Sequence, residues 1–355
     1  MKNRLGGDSS PEKEKRLQLE GQHQGYAPFS ESMRTTPVPV CPACGFAGNT
    51  LYSHLTDKAS IVAGEWGGRK CNNSECGAYW LDPMPVAEDI HKAYATYYTH
   101  ANGKSGRRRH AKREELALQI IRRIEKLWLR ALFLAEEREK LETMFLANRP
   151  PGRVLEVGCG SGLLLQRLQD LGWWAEGQDV DPSAGSFSGD GIVVHIGELN
   201  TLDLPSGSYD AIVMNHVIEH VHTPVELLRE CYRLVKPGGI LVITTPNIQS
   251  YGHRIFRDAW SGLDPPRHLH IFSIKSLTSL VGSAGWLNQK TFTTPARAGG
   301  MVATSRDIKR SGFHQMGGRK SLAHLIFAVW YQYVAWRSHI RCSETGEEIV
   351  SIAHK

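Results

Sequence analysis

A chain of 355 residues, 41% hydrophobic and 8% aromatic, has the material for one large domain or two modest ones. Its 42 Lys and Arg against 36 Asp and Glu leave a formal charge of +6, a mild excess that does not mark a dedicated nucleic-acid binder. Seven cysteines, an odd number with four of them in two clusters, argue against a disulfide framework and for a reducing compartment with one metal site.

Residues 1–36 are polar and lack periodicity, which reads as a disordered tail. Their charges leave no room for the apolar run of a signal peptide, and the most apolar stretch, 322–336, contains His324 and Gln332 and is too short to span a bilayer. The expected location is the cytoplasm. Residues 37–99 read as a small zinc-ribbon-like module. Cys41-Pro-Ala-Cys44-Gly has the form of a zinc knuckle, and Cys71 and Cys76 supply a second, wider pair. Four thiolates leave no open coordination position, so the Zn²⁺ they imply is structural. The run AYATYY, with Tyr94, Tyr97 and Tyr98, either packs in a core or lines a pocket.

Residues 100–149 read as a helical linker or cap. The basic run Arg107–Arg113 is a solvated helix start or a phosphate contact, and Leu116, Ile120, Ile124, Leu127 and Leu134 recur at helical steps. Pro150-Pro151-Gly152 closes that region. Over 150–355 short apolar runs alternate with helical patterns. RVLEVG, WAEGQDV, IVVHIG, DAIVMNH and GILVITTPN predict strands, with helices between, and this order predicts an α/β fold on a parallel sheet. The first strand ends in Glu156-Val-Gly158-Cys-Gly160-Ser-Gly162, where glycines let a backbone approach a ligand and a helix N-terminus offers free N–H groups. Asp179 ends the second strand at the distance expected of a ribose-hydroxyl acceptor.

His216-x-x-Glu219-His220 has the spacing of an inverted zinc protease, but such a site needs one helix face. This segment follows a strand and precedes a helix that begins near Pro224, so it is a turn at the carboxyl edge of the sheet, where ligands of open α/β folds bind.

Taken together, VLEVGCGSG, GQDVD, LPSGSYDAIVMNHVIEHV, RLVKPGGILVITTPN and DPPRHLHIFS resemble a class I S-adenosylmethionine-dependent methyltransferase, in the manner of ubiquinone-type O-methyltransferases and zinc-ribbon-bearing sugar methyltransferases. The resemblance covers residues 150–295. It implies a Rossmann-like seven-stranded sheet whose last two strands, filled by LNQKTFTTP and GEEIVSIAHK, include an antiparallel edge strand, with 300–342 as a helical insertion. It implies S-adenosyl-L-methionine as cofactor, with Glu156 organising the methionine end, Gly158, Gly160 and Gly162 wrapping it, Asp179 on the ribose hydroxyls, Glu198 at the adenine amino group and Asn215 facing the methionine moiety.

The family's acid-x-x-Glu-His motif can hold a divalent ion near the substrate. Here His216 replaces the first acid, which disfavours a hard Mg²⁺ site at His216, Glu219 and His220. If the acceptor is a hydroxyl or carbon acid, His220 and His268 are the candidate bases. Arg267 either pairs with an anionic substrate group or braces its loop through Asp264. The implied reaction is methyl transfer to a small molecule, a hydroxyl of a sugar or glycan precursor or of a quinone-like compound. The alternatives are C-methylation of a nucleotide sugar, RNA methylation, or an inactive zinc-ribbon binding protein. The Asn/Asp-Pro-Pro-aromatic motif of amino methylases is missing after the fourth strand, which argues against DNA. Helix 321–340 is apolar on several sides, and packs on the sheet edge, pairs with a second copy in a homodimer, or lies on a membrane surface.

Overall fold

The computed structural model describes residues 33–59, 61–94, 123–187, 191–314 and 322–355. The tail through residue 32, the basic run 107–113, Leu116, Ile120, Tyr97 and Tyr98 lie outside the described residues.

The strands in chain order are β1 (Thr35–Thr36), β2 (Gly48–Leu55), β3 (Trp66–Cys71), β4 (Tyr79–Leu81), β5 (Met84–Pro85), β6 (Arg153–Val157), β7 (Trp174–Asp179), β8 (Val193–Ile196), β9 (Tyr209–Asn215), β10 (Val235–Pro246), β11 (His270–Ile271), β12 (Leu287–Thr294) and β13 (Glu348–His354). The helices are α1 (Ala135–Glu142), α2 (Leu163–Asp170), α3 (Pro224–Leu234), α4 (Tyr251–Phe256), α5 (Ile274–Ser283), α6 (Ala298–Ser311) and α7 (Leu322–Arg341).

Seven strands form one sheet in the order β12-β13-β10-β9-β6-β7-β8. Strands β6 to β10 are parallel, and β13 runs antiparallel to both β10 and β12. The antiparallel strand therefore sits one place inside the edge, and edge strand β12 runs with the parallel set. The central strands are apolar without alternation because both faces are covered. Leu155, Val157, Ile212, Met214, Leu241 and Ile243 pack on one face with α3 and α5. Their sequence neighbours Val154, Ala211, Val213, Ile240 and Val242 pack on the other with α2. That is the period of two expected of pleated strands.

A second sheet has the order β11-β4-β3-β2. Its first strand comes from the large domain: His270 pairs with Trp80 and Ile271 with Tyr79. The four-cysteine segment and the large domain also share a core, in which Trp66, Tyr79, Trp80 and Leu81 pack with Ile248, Trp260, Leu263, Val302 and Tyr331.

Residues 123–131 are helical, as their periodicity predicts, but the buried face differs. Ile124 and Leu127 are exposed, whereas Leu129, Leu132 and Leu134 are buried against Tyr333 and Trp336 of α7. The aromatic face of α7 selects the contact: Trp128 Nε1 donates to Val329 O at 3.0 Å. Helix α7 buries Tyr331 and Ala335 in the shared core and exposes Ile326, Trp330 and Ile340. Among the described residues no helix is long and apolar enough to cross a membrane.

Candidate active site

At the carboxyl ends of β6 and β7 the backbone does most of the building. Gly158, Gly160 and Gly162 have φ of 69°, 47° and 68°, left-handed values that L side chains resist. The N–H groups of Gly158 and Cys159 donate to Gln178 O at 2.8 and 3.0 Å and tie the turn to β7. A Cβ on Gly158 would lie 2.6 Å from Val217 Cγ2, so the close approach also requires glycine. Gly162 caps α2 without a side-chain bond, and in the first turn Leu165 N–H donates to the buried Glu156.

Asp179 braces the turn. Its Oδ2 accepts from Gly160 N at 2.8 Å and its Oδ1 from Asp181 N at 2.9 Å. Glu156 is buried beneath, with Oε2 lacking a hydrogen-bond partner. Burial, reinforced by Asp179, pushes its carboxyl well above the usual range. An orphaned buried carboxyl oxygen under a glycine turn, beside the N-terminus of α2, fits a ligand that brings both a hydrogen-bonding group and an anionic end. Glu198 is exposed just after β8, at the head of the turn Leu199–Thr201. Asn215 ends β9 half-buried, its Oδ1 accepting from Thr244 Oγ1 at 2.9 Å and Arg297 Nη1 at 3.4 Å. The named residues thus line one edge in strand order β7 to β9 around the β6 loop.

Beyond β9 the construction changes to side chains. His216 has φ of 57° and is held between two buried carboxylates. Its Nδ1 donates to Glu219 Oε1 at 3.1 Å and its Nε2 to Glu348 Oε1 at 2.6 Å. Burial alone would lower its pKa, but the two carboxylates raise it to about 10. Burial would raise that of Glu219, yet His216 draws it down to about 2. With both nitrogens engaged as donors, His216 has no lone pair to offer a metal.

Among the described residues Glu219, His220 and His268 could also hold a metal ion, their donor atoms lying within 4.8 Å of one another. The two imidazoles meet edge to face, with centroids 4.6 Å apart. His220 Nδ1 lies 3.0 Å from Arg267 O and 2.8 Å from the Tyr94 hydroxyl, and His268 Nδ1 lies 2.8 Å from Gly262 O. A carbonyl only accepts, so each ring carries a proton on Nδ1. Burial and then the neighbouring His268 lower His220 to about 4, so it is neutral at physiological pH. Glu219 Oε2 accepts from Thr245 Oγ1 at 3.0 Å.

Arg267 is fully buried between two carboxylates. It gives Nε to Asp264 Oδ2 at 2.9 Å and Nη2 to Asp264 Oδ1 at 2.6 Å, and also reaches Asp57 Oδ1 at 2.7 Å. Burial would raise Asp264, but the guanidinium holds it below the usual carboxylate range. The bracing role fits this geometry. Pairing with an anionic substrate does not, because the side chain has no access to it.

The four cysteines converge in the same way. Cys41 and Cys76 have Sγ atoms 3.7 Å apart and Cys44 and Cys71 3.4 Å apart, near the edge of about 3.8 Å of a tetrahedron with 2.3 Å zinc–sulfur bonds. Cys44 N and Gly45 N donate to Cys41 O, forming the first knuckle. The second is shifted: Cys76 N and Gly77 N donate to Asn73 O, so Asn73 opens the turn and Cys71 reaches in from the end of β3. That shift absorbs the wider spacing. Ser273, which caps α5, donates to Cys76 O and fastens the knuckle to the large domain.

A seven-stranded sheet with its one antiparallel strand next to the edge, a glycine turn after the first strand and an acid after the second define a class I S-adenosylmethionine-dependent methyltransferase domain. Residues 128–291 match the family model described as "Methyltransferase domain", and the chain carries that domain, joined to an N-terminal four-cysteine cluster of zinc-ribbon form. Over 165 residues the chain is 31% identical to a probable S-adenosylmethionine-dependent methyltransferase of Mycolicibacterium smegmatis, covering 43% of this chain and 61% of that protein. Over 117 residues it is 34% identical to a ubiquinone biosynthesis O-methyltransferase of Xanthomonas axonopodis pv. citri, covering 30% of this chain and 49% of that one. It therefore spans about half to three fifths of the length of these relatives. Among solved structures, a SAM dependent methyltransferase from Archaeoglobus fulgidus aligns at 19% identity and a TM-score of 0.42, over 62% of this chain and 94% of that one.

Proposed function

We propose that the protein transfers a methyl group from S-adenosylmethionine to a hydroxyl of a small molecule, with His220 as the base, His268 beside it, and a structural zinc on Cys41, Cys44, Cys71 and Cys76. The observation that supports this reading best is the pair of imidazoles, each with Nδ1 turned to a backbone carbonyl, beside Glu219 on the sheet edge next to the glycine turn. When bound, the cofactor supplies a methyl group already activated on a sulfonium. The chain's part is alignment, worth about 7–11 kcal/mol in favourable cases, and removal of one proton. The acceptor's O–H proton passes to His220 Nε2, and the carboxylate of Glu219 stabilises the imidazolium that forms. Positioned bases contribute about 10²–10⁴-fold. The hydroxyl belongs to a sugar or glycan precursor or to a phenolic, quinone-like ring, and the test distinguishes the two.

A second reading rests on the same three groups. Each is held from behind, by Arg267 O, Gly262 O and Thr245 Oγ1, as ligands of a divalent cation are. Two imidazoles and one carboxylate suit a first-row transition ion better than Mg²⁺. Purified protein should be incubated with labelled cofactor and phenolic, nucleotide-sugar and lipid pools, and products read by mass for a gain of one methylene. His220→Asn should lower kcat by about 10²–10⁴-fold. Wild-type turnover in that variant would defeat the assignment of the base. One metal per chain supports the base reading. A second metal, lost to mild chelation together with activity, supports the cation.

A further inference from the structure

We infer that Arg267 is a positioning residue for the acceptor site, and that the four-cysteine module acts on that site through it. Asp57 of the module clamps the guanidinium, and the carbonyl of the same arginine decides which nitrogen of His220 carries the proton. The inference rests on the proposed role of His220 as base.

The clamp joins segments far apart in the chain. Asp57 is itself fixed, accepting from the N–H groups of Ala59, Ile61 and Val62 at 2.8, 2.9 and 3.1 Å. It receives both terminal nitrogens of Arg267, Nη2 at 2.7 Å and Nη1 at 3.3 Å. Asp264 takes the other edge of the guanidinium from within its own loop. Nη1 also donates to Ala93 O at 3.4 Å, next to Tyr94. A planar fork engaged on two carboxylates has one orientation, which a single ammonium could not reproduce.

The consequence falls on His220 Nδ1, which has two neighbours. Arg267 O can only accept. The Tyr94 hydroxyl can accept or donate. With the carbonyl 3.0 Å away, Nδ1 keeps its proton and Nε2 keeps its lone pair. If the carbonyl drifts, the Tyr94 hydroxyl 2.8 Å away can donate into a bare Nδ1. The ring proton then moves to Nε2, and the nitrogen that should take the acceptor's proton is blocked. The clamp therefore disfavours the tautomer that disables the base.

The test needs no known acceptor. Zinc-loaded full-length protein labelled with ¹⁵N-histidine is measured at neutral pH, with the His220 ring signals assigned by their loss in His220→Asn. Wild type should show the Nδ1–H tautomer. Arg267→Lys and Asp57→Asn should raise the Nε2–H population severalfold, while binding of S-adenosylhomocysteine, the cofactor product, changes by less than about twofold because the glycine turn is untouched. Tyr94→Phe should keep the Nδ1–H form. An unchanged tautomer in folded Arg267→Lys or Asp57→Asn overturns the inference, as does a shifted tautomer in Tyr94→Phe. The last variant keeps the question open to refutation even if the clamp variants do not fold. Failure of wild type to bind S-adenosylhomocysteine would instead sink the methyl-transfer reading and leave the tautomer result standing.

Discussion

The two halves of one sheet edge are built by opposite means. The half at β6 and β7 uses consecutive residues, Glu156 to Gly162, and one acid, Asp179, and presents mostly backbone. The half beyond β9 presents side chains from five separated stretches: Asp57, Tyr94, the turn 216–220, the loop 264–268 and Glu348. A backbone site must be written locally, because its glycines have to sit where φ is positive. A side-chain site needs only that the fold bring its members together.

Removing the zinc proposed on the four cysteines should divide the halves most sharply. Structural zinc on four thiolates is worth about 10 kcal/mol or more of apparent folding energy. Chelation, or Cys41→Ser with Cys44→Ser, should unfold the module and with it the Asp57 clamp, seen as a large drop in Tm. Because the module and the large domain share a core and a sheet, calorimetry should find S-adenosylhomocysteine binding at the glycine turn weakened but not abolished, and equal loss of both would show that the halves are one unit. Asp179→Ala comes next. It removes the brace of the turn and the expected ribose acceptor, and two charge-assisted bonds correspond to a loss of about 100-fold or more in affinity for the cofactor product.

His253 sits where the module meets the large domain. Its ring contacts the Tyr52 hydroxyl at 2.8 Å and Ile248 O at 2.6 Å, and burial lowers its pKa to about 4. The unfolded chain takes up this proton near pH 6.5 and the folded one only near 4. Its contribution is therefore complete above about pH 6.5 and is lost as pH falls to about 4, a change of about 3 kcal/mol. His253→Gln should flatten that part of the stability–pH curve in denaturant titrations. The smallest effect expected is that of Gly158→Ala, about 1–3 kcal/mol, from a left-handed φ and the collision with Val217. Adding Val217→Ala should relieve the collision and not the φ, so recovery should be partial.

The parallel strands, the glycine turn and the clustering of four cysteines were legible, because periodicity, glycine spacing and ligand spacing are local signals; the seven-stranded sheet was implied only by the family resemblance, and its antiparallel strand lies inside the edge and not at it. The partner of His216 was not: Glu348 lies 132 residues away and meets it only because β13 inserts beside β10. Asp57 was not legible either, since nothing near it announces an arginine 210 residues on. Strand β11 is two residues long inside DPPRHLHIFS, too short to show alternation, and its existence depends on the free edge of β4. Among the leucines, spacing found the helix at 123–131 and missed its buried face, which the aromatic residues of α7 choose.

The borrowed strand at His270 and Ile271 ties the amino-terminal part to the rest through a shared sheet. A shortened protein starting at Arg153 would bare Ile248, Trp260, Leu263, Val302 and Tyr331 to water beside an unpaired β edge, a combination that drives aggregation. What looks in the sequence like a detachable cap is, by its packing, one wall of the building.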